Sequence, residues 1–203
     1  MKKILAAALA AFIGLSAYAG NVSVGGKVLG SYNLNAIGED GAKFGFGIAA
    51  HANFGLYQTE KFEIGLQPEL RLIFNQGYKD SYSYSTYDYN EYYEEEEDKY
   101  TSLDFPLLAT FTFNVNEKIS LGLGVGPFAA ISLFHTVVSY NDYEEFTWNA
   151  GLATELMFGI KAGPGKITAD LGFTKAFAHS DGDFGLSYRS ADLTFAAGYQ
   201  YRF

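Results

Sequence analysis

Phe62-Glu63-Ile64-Gly65-Leu66-Gln67-Pro68-Glu69-Leu70-Arg71-Leu72-Ile73-Phe74 decides how this chain is to be read. Phe62, Ile64, Leu66, Leu70, Leu72 and Phe74 share one parity, whereas Glu63, Gln67, Glu69 and Arg71 share the other. A period of two puts the two sets on opposite faces of a strand, and a helix would mix them around its circumference. One face is therefore bulky and apolar, the other polar and charged.

The pattern recurs outward from there. In the last segment Ala191, Leu193, Phe195, Ala197, Tyr199, Tyr201 and Phe203 alternate with Asp192, Thr194, Ala196, Gly198, Gln200 and Arg202. Within the fifth, Ile119, Leu121, Leu123, Val125 and Ile131 alternate with Ser120, Gly122, Gly124, Gly126, Ala130 and Ser132. Eight such segments are expected, near 21–34, 43–57, 61–75, 101–115, 118–135, 146–161, 166–178 and 189–203. Each is long enough to cross a bilayer as a tilted strand, which takes about 9 to 11 residues. Pro68, Pro106 and Pro127 are expected at bulges or strand ends, because proline cannot donate to a ladder.

The connections alternate too. Gln58-Thr59-Glu60, Asn116-Glu117 and Gly163-Pro164-Gly165 are tight, whereas 35–42, 76–100, 136–145 and 179–188 are long or polar. Short turns at one end and long loops at the other describe an all-β, eight-stranded, antiparallel up-and-down transmembrane β-barrel with a long extracellular second loop. Most of the 23 acids fall in the long connections, so the acidity belongs to one rim. A soluble barrel or sandwich would turn the bulky face inward. The other face, rich in Gly, Ala, Ser and Thr with sparse charge, suits a crowded interior better than a solvated surface.

Residues 1–19 read as a signal peptide: Lys2 and Lys3, an apolar run from Ile4 to Leu15, and Ala17-Tyr18-Ala19 as a small-x-small site cleaved after Ala19. Residues 20–203 then form one outer-membrane β-barrel domain. The 203-residue chain has no Cys, which excludes disulfides, thiolate metal sites and a cysteine nucleophile. Its net charge of -9 has the wrong sign for nucleic acid, and no cofactor motif is present.

Two stretches resemble known proteins. Tyr199, Tyr201 and Phe203 resemble the terminal signal that bacterial outer-membrane barrels present to their insertion machinery. Ser102-Leu103-Asp104-Phe105-Pro106-Leu107-Leu108-Ala109-Thr110-Phe111 resembles the signature of the PorT-like outer-membrane β-barrel family, as do Leu66-Gln67-Pro68-Glu69-Leu70, Asn75-Gln76-Gly77-Tyr78 and Gly124-Val125-Gly126-Pro127-Phe128. The resemblance implies a Gram-negative cell outer membrane barrel, and it hands over no catalytic residue.

The chemistry that remains is sparse. His51, His135 and His179 are the available near-neutral bases, and no G-x-S-x-G motif accompanies them, so no enzyme is expected. Lys27, Glu63, Glu69, Arg71, Asp104, Glu155, Asp170, Asp192 and Arg202, together with Lys43 and Lys161, fall on the polar face and should pair inside the barrel, since unpaired buried charge is costly. The competing reading of that network is an ion path. Lys175 falls on the apolar parity, which a bulge or a snorkelling stem would explain. Residues 78–100 hold eight tyrosines and eight acids. Tyr82, Tyr84, Tyr87, Tyr89, Tyr92 and Tyr93 suit surface recognition, because tyrosine offers large amphipathic contact area at low entropic cost. Glu94, Glu95, Glu96, Glu97 and Asp98 are weak candidates for a divalent cation. Tyrosine at alternate positions could instead prolong the hairpin above the membrane. The expected role is structural or adhesive, with an extracellular protein, a surface polysaccharide or a divalent cation as partner to a monomeric barrel in outer-membrane lipid. The alternative is a narrow channel or a secretion-associated barrel.

Overall fold

The computed structural model describes residues 21–34, 44–85, 91–138, 143–144, 148–179 and 191–203, with the backbone alone for 75–85, 91–100, 134–138, 143–144 and 178–179. The signal peptide, Lys43, Tyr87 and Tyr89 lie outside the described residues. The strands are β1 Asn21–Asn33, β2 Phe44–Gln58, β3 Phe62–Ser85, β4 Glu91–Asn114, β5 Ile119–Val138, the two-residue β6 Tyr143–Glu144, β7 Trp148–Ala162, β8 Gly165–His179 and β9 Ala191–Arg202. Each of the eight long strands pairs antiparallel with its neighbours in sequence, and β1 pairs with β9, so the sheet closes on itself. β6 adds to the free end of β5 through Thr136↔Glu144 and Val137↔Tyr143.

Closure turns the bulky face outward. Val28, Ile48, Leu70, Phe111, Leu123, Leu156, Leu171 and Phe195, one from each long strand, are all exposed, and the opposite parity is buried. An apolar surface running round every strand is what a lipid-facing barrel presents and what a water-soluble protein avoids. The tight turns are tied together. Asn114 N donates to Lys61 O at 2.8 Å, Lys161 N to Lys118 O at 2.8 Å, and Tyr199 OH to Ala162 O at 2.8 Å. Gly163 has φ +61°, the left-handed conformation that glycine adopts without a Cβ penalty.

Two expectations need correction. The connection 76–100 is mostly strand, the alternative offered by the alternating tyrosines: β3 and β4 continue beyond the other strands in register from Gln76↔Tyr100 to Ser85↔Glu91. The Tyr/Ser alternation at 81–85 extends the period of two, and β5 pairs β4 as far as Glu97↔Val138, so the extension is supported on one side. The prolines also fall within strands, not at bulges. The ladder passes from His51↔Glu69 to Phe54↔Leu66, from Pro68↔Leu107 to Arg71↔Asp104, and from Pro106↔Phe128 to Ala109↔Val125 without a change of register. Three neighbouring prolines thus loosen one patch of the ladder without inserting a residue. The chain approaches itself closely there: a Cβ on Gly126 would lie 1.9 Å from Leu107 O. The register shifts lie elsewhere, at Gly55/Tyr57, Ile73/Gln76, Thr101/Ser102 and Ala150/Gly151. The last of these faces the end of β8 close to Lys175, which pairs with Leu152 and Ala191.

Candidate functional site

Inward parity on β1, β3, β7 and β8 gathers one charge cluster. Lys27 Nζ lies 3.2 Å from Glu69 Oε2, 2.9 Å from Glu155 Oε1 and 2.8 Å from Asp170 Oδ2. Arg71 Nε lies 2.8 Å from Glu69 Oε1, and its Nη2 lies 3.7 Å from Glu155 Oε1. All five side chains are nearly inaccessible to solvent. Asp104 is buried opposite Arg71 in the β3–β4 ladder, and Asp192 is buried opposite Asn33 on β1. Glu63 and Arg202 stand apart, 3.8 Å from each other near the tight turns, with the Arg202 side chain 43% exposed. Lys161 is exposed beside them.

The inner face also carries apolar groups that sequence reasoning missed. Leu29, Ala49 and Ile73 form one buried group, and Leu108, Phe128, Ala130 and Ala153 another. Leu29 is one inward step beyond Lys27, Ile73 one beyond Arg71 and Ala153 one beyond Glu155. The signal was legible in principle: each is a large or apolar residue on the small, polar parity. Bulk there means filling, since the interior of an eight-stranded barrel is just wide enough for side chains.

The turn side differs. A cavity of about 560 Å³ opens among the tight turns, walled by Ser23, Thr112, Ser120, Gln200 and the charged Glu60, Lys61, Glu63, Glu117, Lys118, Lys161, Lys166 and Arg202. Beneath it a space of about 10 Å³, enough for about one water, touches Lys27, His51, Thr168, Lys166 and Asp170. His51 Nδ1 and Thr168 Oγ1 are buried there without a hydrogen-bond partner among the described residues. The interior thus forms a vestibule, wide at the turns and narrow at the charge cluster.

Of the other candidate residues, Tyr82, Tyr84, Tyr92 and Tyr93 stand on the prolonged hairpin in the register Tyr82↔Glu94 and Tyr84↔Tyr92. Glu94, Glu95, Glu96, Glu97 and Asp98 follow one another along β4. Among the described residues no three His, Asp or Glu gather in a metal-holding group. Tyr199, Tyr201 and Phe203 are exposed on the outer face, with the last two rings 5.0 Å apart edge to face.

No family model matches the chain, so the PorT-like resemblance rests on its motifs alone. No curated protein matches either. Solved structures do. The chain is similar to the attachment invasion locus protein Ail of Yersinia pestis in complex with the heparin analogue sucrose octasulfate, at 16% identity and TM-score 0.54, covering 91% of this chain and 99% of that one. It is also similar to Neisserial surface protein A, at 12% identity and TM-score 0.53, covering 90% and 97%. The shared property is the fold, a closed eight-stranded antiparallel barrel of the outer-membrane kind.

Proposed function

We propose that this chain, after cleavage following Ala19, is a Gram-negative outer-membrane barrel that acts at its loop-side rim: a filled scaffold holding an acidic, tyrosine-rich hairpin outside the cell to bind a surface partner. The observation that carries the reading is the continuation of β3 and β4 beyond the other strands in unbroken hairpin register. An extended hairpin presents its residues at fixed two-residue spacing, which orders a recognition surface before a partner arrives and lowers the entropy cost of binding.

The two similar proteins carry names of attachment and surface display, which agrees with this role. The ligand class does not transfer. Sucrose octasulfate is a polyanion, and residues 78–100 here hold eight acids against Lys79 and Lys99, so the partner has to offer cationic groups. A basic face of an extracellular protein fits that requirement, and a bound divalent cation would add to it.

The alternatives are a narrow channel and a secretion-associated barrel, the latter suggested by the PorT-like family name; the closely packed charge cluster and the buried apolar groups count against conduction. The test is single-channel conductance of the refolded mature protein in a planar bilayer, with and without residues 79–99, alongside capture of a basic probe, polylysine, by liposomes carrying each form. Silence in both forms and polylysine capture lost on deletion are expected. Reproducible conductance, or capture indifferent to the deletion, would sink the proposal.

A further inference from the structure

The turn-side vestibule is not needed for binding at the opposite rim, yet it encloses about 560 Å³ and its charge is opposite in sign. Its wall carries Lys61, Lys118, Lys161, Lys166 and Arg202 against Glu60, Glu63 and Glu117. Glu63 is engaged by Arg202 at 3.8 Å. Lys166 has no ion-pair or hydrogen-bond partner among the described residues. Its strand places it in register with Lys161 on β7 and Gln200 on β9, so two lysines and an amide share one level of the wall. Gly159 makes room for it: a Cβ there would meet the Lys166 stem at 3.1 Å.

The wall is also held in shape. The turn at 59–61 is hydrogen-bonded to Asn114, and Lys161 N to Lys118 O, so the lysine-bearing turns are fixed relative to one another. Asn114, Asn116, Ser23, Thr112 and Ser120 add amide and hydroxyl donors around the opening. Low-dielectric walls lined by excess positive charge focus a field on the space they enclose. Depth is limited, because Asp170 and the rest of the acid-rich cluster lie below and repel an anion that passes Lys166.

We propose that this vestibule is a binding site for a small phosphate-bearing anion entering from the side of the tight turns, with Lys166 at its floor and Lys161 and Lys118 at its sides. Ammonium groups act as point charges that suit phosphate oxygens, and the cavity admits a diphosphate with its first hydration shell. The phosphate is carried by a free solute or by a lipid headgroup reaching over the rim.

The experiment is isothermal titration of the refolded mature protein in nonionic detergent with inorganic pyrophosphate at low ionic strength, repeated with a short-chain phosphatidylglycerol as competitor. Saturable binding is expected, weakened about tenfold by Lys166→Gln and similarly by Lys161→Gln, tightened by Glu117→Gln, and lost as salt rises. Competition by the lipid assigns the site to a headgroup, and indifference to it assigns the site to a free solute. Heat-modifiable migration on gels checks that each variant is folded. Absence of saturable binding by the folded wild-type protein, or affinity unchanged in both lysine variants, overturns the proposal. Either result leaves the hairpin reading untouched, since residues 79–99 are remote from the vestibule wall.

Discussion

Lys27→Met tests how the interior is held together. Lys27 is within 3.2 Å of three carboxylates and is almost wholly buried. Removing it does not strand them equally. Glu69 keeps Arg71 at 2.8 Å and Glu155 keeps Arg71 at 3.7 Å, whereas Asp170 has no other ion-pair partner among the described residues. Breaking a buried pair by removing one partner costs about 3–5 kcal/mol, most of it the uncompensated charge left behind. Lys27→Met should therefore destabilise the barrel by about that amount, and Lys27→Met combined with Asp170→Leu should recover at least half of the loss, because the stranded charge goes with it. The single tryptophan, Trp148 at the start of β7, faces outward and gives a fluorescence signal for urea unfolding of the barrel in vesicles. A loss below about 1 kcal/mol, or a double variant as damaged as the sum of the single ones, would refute the reasoning and leave the cluster as packing without net electrostatic consequence.

Other outcomes follow from the same coordinates. Leu171→Arg, mid-strand on β8 between Leu156 and Phe195, should cost about 2–4 kcal/mol and reduce membrane accumulation, while Leu121→Arg, close to the turn at 115–118, should cost less. Equal and normal accumulation of both would contradict the lipid-facing assignment. Gly126→Ala should lower the urea midpoint, because its Cβ would overlap Leu107 O in the proline-loosened patch of the ladder; an unchanged midpoint would mean the strands part there without cost. Deleting Phe203 should slow insertion by the assembly machinery in a reconstituted assay, and unaltered insertion removes the terminal aromatic as a signal.

Period-two alternation assigned strand and the division into two faces, because a strand places successive side chains on opposite faces whatever surrounds it, and its repetition over eight segments with alternating short and long connections pointed to a barrel. All eight long strands lie within a few residues of their expected places, except where β3 and β4 run on into 76–100. That exception has a physical cause. Acid-rich composition reads as solvated loop, and what keeps β4 paired there is the neighbouring β3 and β5, a relation between distant residues that no local pattern contains. Charge on the inner parity was legible, and so was the pressure to pair it. Which acid meets which base was not, since Lys27 reaches Glu155 across 128 positions of sequence and only the register of a closed sheet brings them together. Leu29, Ile73, Leu108 and Phe128 stood in plain view on the polar parity, but which of them pack together is set by the register and tilt of strands that closure imposes. The vestibule likewise exists because short turns, scattered through the sequence, converge on one ring. Local chemistry determined the faces of this protein, and closure of the sheet decided which of their residues share a site.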